Sequence, residues 1–183
     1  MKIAVLCKDG FEELEALGIV DMARRVNVKC DIVGFSTSVV RGSHGINIEA
    51  DLDFAAVTMD YDAIVIPGGM PGARRLQEDD TVVDLVKKYY ENEKLVGAIC
   101  AGPIVLAKAG ILAGKTVTCY PGFEKELDGA NYQESLVMVD GNIVTAKGPA
   151  ATFAFAFAIL NKLGVDTSDL EDGVQYTYLK SNI

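Results

Sequence analysis

The stretch Leu95-Val-Gly-Ala-Ile-Cys-Ala-Gly-Pro103 predicts a buried strand that stops at a cysteine and turns directly into a helix. Small residues flank Cys100 on both sides, which a sharp strand-to-helix turn requires because bulky side chains would clash with neighbouring backbone. Pro103 suits the first turn of the helix, where its missing N–H costs nothing. Such a turn is typical of a nucleophile elbow, and the adjacent helix start favours a thiolate. We therefore predict that Cys100 is a reactive rather than a structural cysteine.

Strand and helix patterns alternate along the rest of the chain. The predicted strands are Lys2–Leu6, Lys29–Phe35, Ala63–Ile66, Leu95–Ile99 and Lys115–Cys119, with hairpins at Val39–Ile48 and Leu136–Ala146. The predicted helices are Glu12–Val26, which Asp9 would cap, Thr81–Glu91, Ile104–Ala109 and Ala150–Leu163. This order predicts an α/β fold with a mostly parallel sheet, helices on both faces and ligands at the carboxyl ends of the strands.

Composition narrows the class of protein. With 183 residues we expect one domain over 1–183, and the net charge of −9 argues against nucleic acid or an anionic membrane as a partner. No apolar run has the length of a membrane span and the amino terminus does not resemble a signal peptide, so we expect a cytoplasmic protein with reduced cysteines. One histidine and no Cys-x-x-Cys motif argue against a cysteine/histidine metal site.

A cysteine nucleophile needs a neighbour that controls its ionisation. The single histidine, His44, lies in an unrelated glycine-rich loop, which leaves the acids of the first helix. Glu12 and Glu15 share a helix face, whereas Glu13 points elsewhere. A glutamic acid buried beside the thiol would stay protonated, hydrogen-bond to the thiolate and shuttle a proton. Acids in a first turn also complement the helix dipole, and the pattern leaves both interpretations open.

Two further groups could belong to the site. Pro67-Gly68-Gly69 follows a strand, so its backbone N–H groups could bind an oxyanion, although two glycines also simply permit a turn. Cys119 ends a predicted strand and could be either buried in the core or close to Cys100.

In combination, these motifs resemble the DJ-1/ThiJ/PfpI superfamily, in particular its DJ-1-like branch. The motifs that carry the resemblance are Glu12-Glu13-Leu14-Glu15, Ile66-Pro67-Gly68-Gly69, Ala98-Ile99-Cys100-Ala101-Gly102-Pro103 and Lys147-Gly148-Pro149. The resemblance implies a flavodoxin-like three-layer sandwich, usually a homodimer. It implies that Cys100 is an oxidation-prone nucleophile, that Glu15 is the protonated acid against it, and that Gly69 and Ala101 supply backbone N–H groups.

Two positions depart from the pattern of the superfamily. Protease-like members carry a histidine directly after the cysteine, where this chain has Ala101, which argues against a peptidase. Members with glyoxalase or deglycase activity often carry a histidine at the position of Tyr120, and a phenol is a poor base near neutral pH. His44 lies in a loop that approaches the partner subunit's site in relatives, so we treat it as a possible auxiliary residue together with Tyr120.

The resemblance implies a cofactor-free enzyme that acts on reactive carbonyls, such as methylglyoxal or its early adducts on amines and thiols. The alternative is a redox-sensing stress-response protein or chaperone that works through oxidation of Cys100. A peptidase or amidotransferase role is disfavoured because no suitable histidine is present.

Overall fold

A computed structural model describes residues 1–36 and 38–183 of the chain. The strands among these residues are β1 (Lys2–Leu6), β2 (Lys29–Gly34), β3 (Val39–Arg41), β4 (Asn47–Glu49), β5 (Leu52–Asp53), β6 (Ala63–Ile66), β7 (Leu95–Ile99), β8 (Thr116–Val117), β9 (Asn131–Tyr132), β10 (Val137–Asp140) and β11 (Ile143–Ala146). The helices are α1 (Glu13–Arg25), α2 (Gly72–Gln77), α3 (Asp80–Glu91), α4 (Pro103–Lys108), α5 (Thr152–Lys162), α6 (Ser168–Gly173) and α7 (Tyr176–Lys180). Short 3₁₀ turns lie at Phe54–Ala56, Glu124–Glu126 and Pro149–Ala151.

The central sheet has seven strands in the order β10-β11-β7-β6-β1-β2-β5. All neighbouring strands run parallel except β10 and β11, which form an antiparallel hairpin. Strands β6 and β7 are buried along their whole length, which explains their continuous apolar sequence because helices cover both faces of the sheet. The mostly parallel α/β sheet expected from the sequence is confirmed.

Two apolar cores lie on opposite faces of the sheet. Helices α1 and α5 pack on one face, where Ile19 and Phe155 are buried. Helices α2, α3 and α4 pack on the other, where Leu76, Val86 and Ile104 are buried. The molecule therefore has the expected three layers, and the carboxyl ends of β1, β6 and β7 meet at one edge of the sheet.

The strand predicted at Lys115–Cys119 is shorter in the structure. Only β8 (Thr116–Val117) forms, and it pairs with β9 in a separate two-stranded sheet. On the side of β8 away from β9, side chains replace a strand partner: Asp140 accepts the Thr116 N–H at 2.8 Å, and the Thr145 hydroxyl accepts the Thr118 N–H at 2.9 Å. Helices α2, α6 and α7 were not predicted, because they are too short to show a helical period in the sequence.

The start of α1 differs from the prediction as well. Glu12, not Asp9, caps the helix, because its Oε2 accepts the Glu15 N–H at 2.8 Å. Asp9 instead accepts the Arg41 N–H at 2.9 Å and ties the loop after β1 to the β3–β4 hairpin.

The chain after Gly164 folds back on the core through α6 and α7. Leu170 is buried there, and the Tyr176 ring packs edge-on against Phe157 with a centroid distance of 5.1 Å. In the described ranges every helix is too short or too polar to cross a membrane.

Candidate active site

Cys100 occupies the sharp turn between β7 and α4. Its φ of 62° is left-handed, a conformation that costs a non-glycine residue about 1–2 kcal/mol. Hydrogen bonds from neighbouring segments hold this turn: the Cys100 N–H donates to the Ala146 carbonyl at 2.9 Å, and its carbonyl accepts the Tyr120 N–H at 2.9 Å. The turn therefore has the geometry of a nucleophile elbow, with the strain balanced by two fixed backbone contacts.

Glu15 lies in the first turn of α1 and is fully buried beside the Cys100 thiol. Its Oε2 accepts the Gly68 N–H at 2.7 Å. Its Oε1 is also buried and has no partner of regular hydrogen-bond geometry in the part of the chain that the structure describes. The thiol of Cys100 is the polar side chain that interacts with this carboxyl group.

Gly68 lies between Cys100 and Glu15 and contacts both residues. A methyl carbon at this position would lie 2.5 Å from Cβ of Cys100, 2.8 Å from Oε2 of Glu15 and 2.9 Å from Sγ of Cys100. Only a glycine leaves the acid and the thiol room to meet here. The Gly68 N–H donates to Glu15, so it is not free to bind an oxyanion, which was one of the two roles that the sequence left open for these glycines.

Burial and charge set the ionisation of the acid. Burial raises the pKa of Glu15 to about 7, and the negative charge of Glu12 adds to this increase. The Gly68 N–H and the Cys100 thiol oppose it by hydrogen bonding to the carboxylate. An acid with a pKa near neutrality is matched to proton transfer at physiological pH.

The pKa of the Cys100 thiol is raised as well. Burial, the charge of Glu15 and the hydrogen bond to Glu15 together raise the pKa of Cys100 to about 12, whereas the N–H groups of Gly69 and Ala101 lower it. The sequence predicts a thiolate held beside a protonated Glu15; the raised pKa of Glu15 agrees with that prediction, whereas burial of Cys100 acts against the thiolate. Burial and the N–H donors therefore act on the Cys100 thiol in opposite directions.

The three acids at the start of α1, Glu12, Glu13 and Glu15, have different roles. Glu13 does not reach Cys100 but accepts the His44 N–H at 2.7 Å and pairs with the His44 ring at 2.8 Å. Burial alone would raise the pKa of Glu13, but the hydrogen bonds from His44 and Ile46 outweigh burial and lower this pKa to about 2. His44 is exposed, and its bond to Glu13 raises its pKa. This docking of the β3–β4 hairpin on α1 was missed in the sequence analysis, which had Glu13 simply pointing elsewhere.

Donor atoms of Glu12, Glu13 and His44 lie within 4.8 Å of one another, so these side chains are the candidate metal ligands of the described residues. The His44 ring nitrogen already bonds to Glu13, and Glu12 already caps α1. The cluster is therefore an internally paired set that joins the hairpin to the helix.

The remaining residues of interest separate into two groups. Cys119 is fully buried in the core on the opposite face of the sheet from the core that contains Cys100. Tyr120 lies beside the site through its backbone bond to Cys100, and its half-exposed ring borders Gly148. The structure thus brings Cys100, Glu15, Gly69, Ala101 and Tyr120 together, and it leaves His44 and Cys119 apart from them.

The chain is similar to proteins of one known family. The sequence profile of the DJ-1/PfpI family matches residues 1–162. The chain is 39% identical to protein DJ-1 homolog B of Arabidopsis thaliana over 88% of this chain but 37% of that relative, so it spans little more than a third of the plant protein. It is 32% identical to a deglycase of Pyrococcus abyssi over 85% of this chain and 95% of the relative.

A solved structure has the same fold. The crystal structure of Drosophila melanogaster DJ-1beta superposes with a TM-score of 0.90 and 32% identity, over 94% of this chain and 96% of that one. The profile match, the sequence relatives and the shared fold lead to one conclusion: the chain belongs to the DJ-1/PfpI family.

Proposed function

We propose that this protein is a cofactor-independent cysteine enzyme that acts on reactive carbonyls, in the manner of a glyoxalase or a deglycase. The observation that carries the proposal is the meeting of the Cys100 thiol and the buried Glu15 carboxyl around Gly68. A thiol nucleophile beside an acid with a pKa of about 7 provides both addition to a carbonyl and proton transfer. The deglycase of Pyrococcus abyssi among the relatives supports the same chemistry.

The proposed reaction converts an α-oxoaldehyde and water into a 2-hydroxy acid. Glu15, as the carboxylate, accepts the thiol proton while the Cys100 sulfur bonds to the aldehyde carbon, and the proton passes to the aldehyde oxygen to give a hemithioacetal. Glu15 then moves the C–H proton of that carbon to the neighbouring carbonyl carbon, and the hydroxyl proton on the first carbon passes to the oxygen on the second. The first carbon is oxidised to a thioester and the second is reduced to an alcohol, so no external redox partner is consumed. Water hydrolyses the thioester and releases the acid and the free thiol.

The surrounding groups fit particular roles in this scheme. The N–H groups of Gly69 and Ala101 lower the pKa of Cys100, and we propose that they stabilise the negative charge that develops on addition. Tyr120 can donate a hydrogen bond to a bound carbonyl oxygen through its phenol. Glu15 rather than a histidine is the base in this proposal, and Ala101 in place of a histidine argues against peptidase activity.

The test is consumption of methylglyoxal with simultaneous measurement of lactate. We expect repeated turnover by the wild-type protein, none by Cys100→Ser and a strong loss in Glu15→Gln. Cys119→Ala is the matched control, since this cysteine lies in the opposite core, and it should retain turnover. Consumption that stops at one aldehyde per protein would reject the enzyme.

A redox-sensing role is the second candidate, and one observation favours it. Cys100 is 9% exposed, whereas Cys7, Cys30 and Cys119 are 0 to 1% exposed. Peroxide would therefore oxidise Cys100 first, and the same two N–H groups would hold the sulfinate. Mass spectrometry after peroxide treatment tests this; equal oxidation of the four cysteines would reject it.

We also propose that the protein forms a homodimer. Leu14 on α1 is 66% exposed and Ile46 in the hairpin is 53% exposed, and the Ile46 N–H bonds to Glu13 at 3.4 Å. Two large apolar side chains exposed on neighbouring segments are typical of an association surface. Sedimentation of the wild type and Leu14→Glu measures this directly, and a wild-type monomer would contradict it.

A further inference from the structure

A cleft with a volume of about 270 Å³ opens next to the segments that hold the Cys100 turn, and Tyr120 is the lining residue that the reaction described above uses. Its walls come from the loop at Tyr120–Pro121, from Leu136 and from residues 147–151. These walls are largely apolar, and the side chains of Tyr120 and Leu136 are 47% and 49% exposed. Large apolar side chains that line an open cleft are typical of a binding surface for an apolar group.

The cleft is tied to the nucleophile through the backbone. One wall begins at Tyr120, whose N–H donates to the Cys100 carbonyl at 2.9 Å. The other follows Ala146, whose carbonyl accepts the Cys100 N–H at 2.9 Å. Both walls therefore keep a fixed position relative to the turn. The cleft thus borders both backbone contacts of the nucleophile.

Size and charge indicate which substituent fits. An apolar cavity of about 150 Å³ binds benzene in another protein, so this cleft has room for one aromatic ring. Gly148 helps to leave that room, because a methyl carbon there would lie 3.2 Å from the Tyr120 ring. Lys147 is the cation in the lining, and its Nζ is already paired with Glu134 at 2.7 Å. The cleft thus offers aromatic and aliphatic contact to a neutral group instead of a free charge to an anionic one.

We propose that this cleft is a substrate subsite that selects α-oxoaldehydes with an aromatic substituent over methylglyoxal. The inference rests on the proposed function and specifies its substrate class. The reaction is the same internal transfer: phenylglyoxal and water become mandelate, with the aldehyde carbon oxidised and the ketone carbon reduced. The ring would pack between Tyr120 and Pro149.

The kinetic test compares phenylglyoxal with methylglyoxal. We expect wild-type kcat/KM to be at least about tenfold higher for phenylglyoxal, since a ring adds several apolar contacts. Leu136→Glu places a charge in the wall and should remove most of that preference. Val139→Glu is the matched control, because Val139 is an equally exposed apolar residue outside the cleft, and it should keep the preference. Equal kcat/KM for both aldehydes in the wild type would overturn the subsite.

A binding test separates the subsite from the chemistry. Mandelate and lactate are titrated into Cys100→Ser and followed by NMR, with tighter binding of mandelate expected and its loss in the Cys100→Ser, Leu136→Glu double variant. Mandelate binding without turnover of either aldehyde would reject the proposed enzyme and support the subsite. Turnover without any preference for mandelate would overturn the subsite alone. Sedimentation of Leu136→Glu completes the test, since a loss of self-association there would mean that a second copy covers the cleft, which also overturns it.

Discussion

Replacing Glu15 by glutamine should change how the stability of the protein depends on pH. Burial raises the pKa of Glu15 to about 7 in the folded state, whereas an unfolded glutamate titrates near 4.3. Between these values the folded protein binds the proton more tightly than the unfolded chain, so Glu15 destabilises the fold progressively as the pH rises. Glutamine keeps an acceptor for the Gly68 N–H and carries no charge.

The magnitude follows from the difference between the two pKa values. At about 1.4 kcal/mol for each pH unit the full effect is roughly 3 to 4 kcal/mol, of which roughly 3 kcal/mol falls between pH 4.5 and pH 8. We therefore expect the free energy of unfolding of Glu15→Gln minus that of the wild type to increase by this amount across the window. Urea denaturation in the presence of a reductant measures it, and the pH range lies below the titration of Cys100.

A carboxylate with the opposite shift provides the control. The Thr116 N–H, together with Lys115, lowers the pKa of Asp140. The stability that Asp140 contributes is present above the pKa of an unfolded aspartate and is lost only at lower pH, so the difference for Asp140→Asn should be flat from pH 4.5 to 8. A flat difference for Glu15→Gln as well would refute the account of a buried, neutral-pH acid.

Three further substitutions test the packing around the site by urea denaturation. Gly68→Ala puts a methyl carbon 2.5 Å from Cβ of Cys100. It should lower the free energy of unfolding by roughly 1 to 3 kcal/mol and slow alkylation of the thiol. A urea midpoint equal to that of the wild type would contradict this crowding. Cys100→Gly should be more stable than Cys100→Ala by about 1 kcal/mol, because glycine relieves the φ of 62°, and equal stabilities would mean that the turn is unstrained. Tyr61→Phe removes the hydroxyl donor that lies 2.6 Å from buried Asp31 and should lower the free energy of unfolding by about 1–3 kcal/mol. Tyr178→Phe is the control, because Tyr178 is exposed, and it should leave the free energy of unfolding unchanged. Similar losses in both variants would contradict this reasoning.

The sheet could be predicted because burial on both faces imposes a clear pattern. Strands β1, β6 and β7 match their predicted bounds, since each is a mostly apolar run that ends at a cysteine or a proline. Elements such as α2 and β9 could not be predicted, because six and two residues are too few to show a period. Their positions depend on contacts with distant segments.

The active site, like the fold, could be predicted only in part from the sequence. The turn at Cys100 could be predicted from its small neighbours, because local sterics decide it. Glu12, Glu13 and Glu15 are all less than 10% exposed, yet one caps α1, one binds the hairpin and one meets the thiol. Sequence spacing cannot assign those tasks, since they depend on how α1 is rotated against the sheet. The helix end beside Cys100 is visible in the sequence, whereas the depth of burial, which raises the pKa of both groups, is not.

The peptide bonds on either side of Cys100 leave the nucleophile little freedom to adjust. Its N–H is held by Ala146 and its carbonyl by Tyr120, so a shift of the Cys100 backbone would require two separate segments to move with it. A reactant must therefore travel to a stationary centre, and structures with and without an adduct should superpose at this turn. Diversity among substrates would then arise from changes at the rim, while the reacting core stays the same.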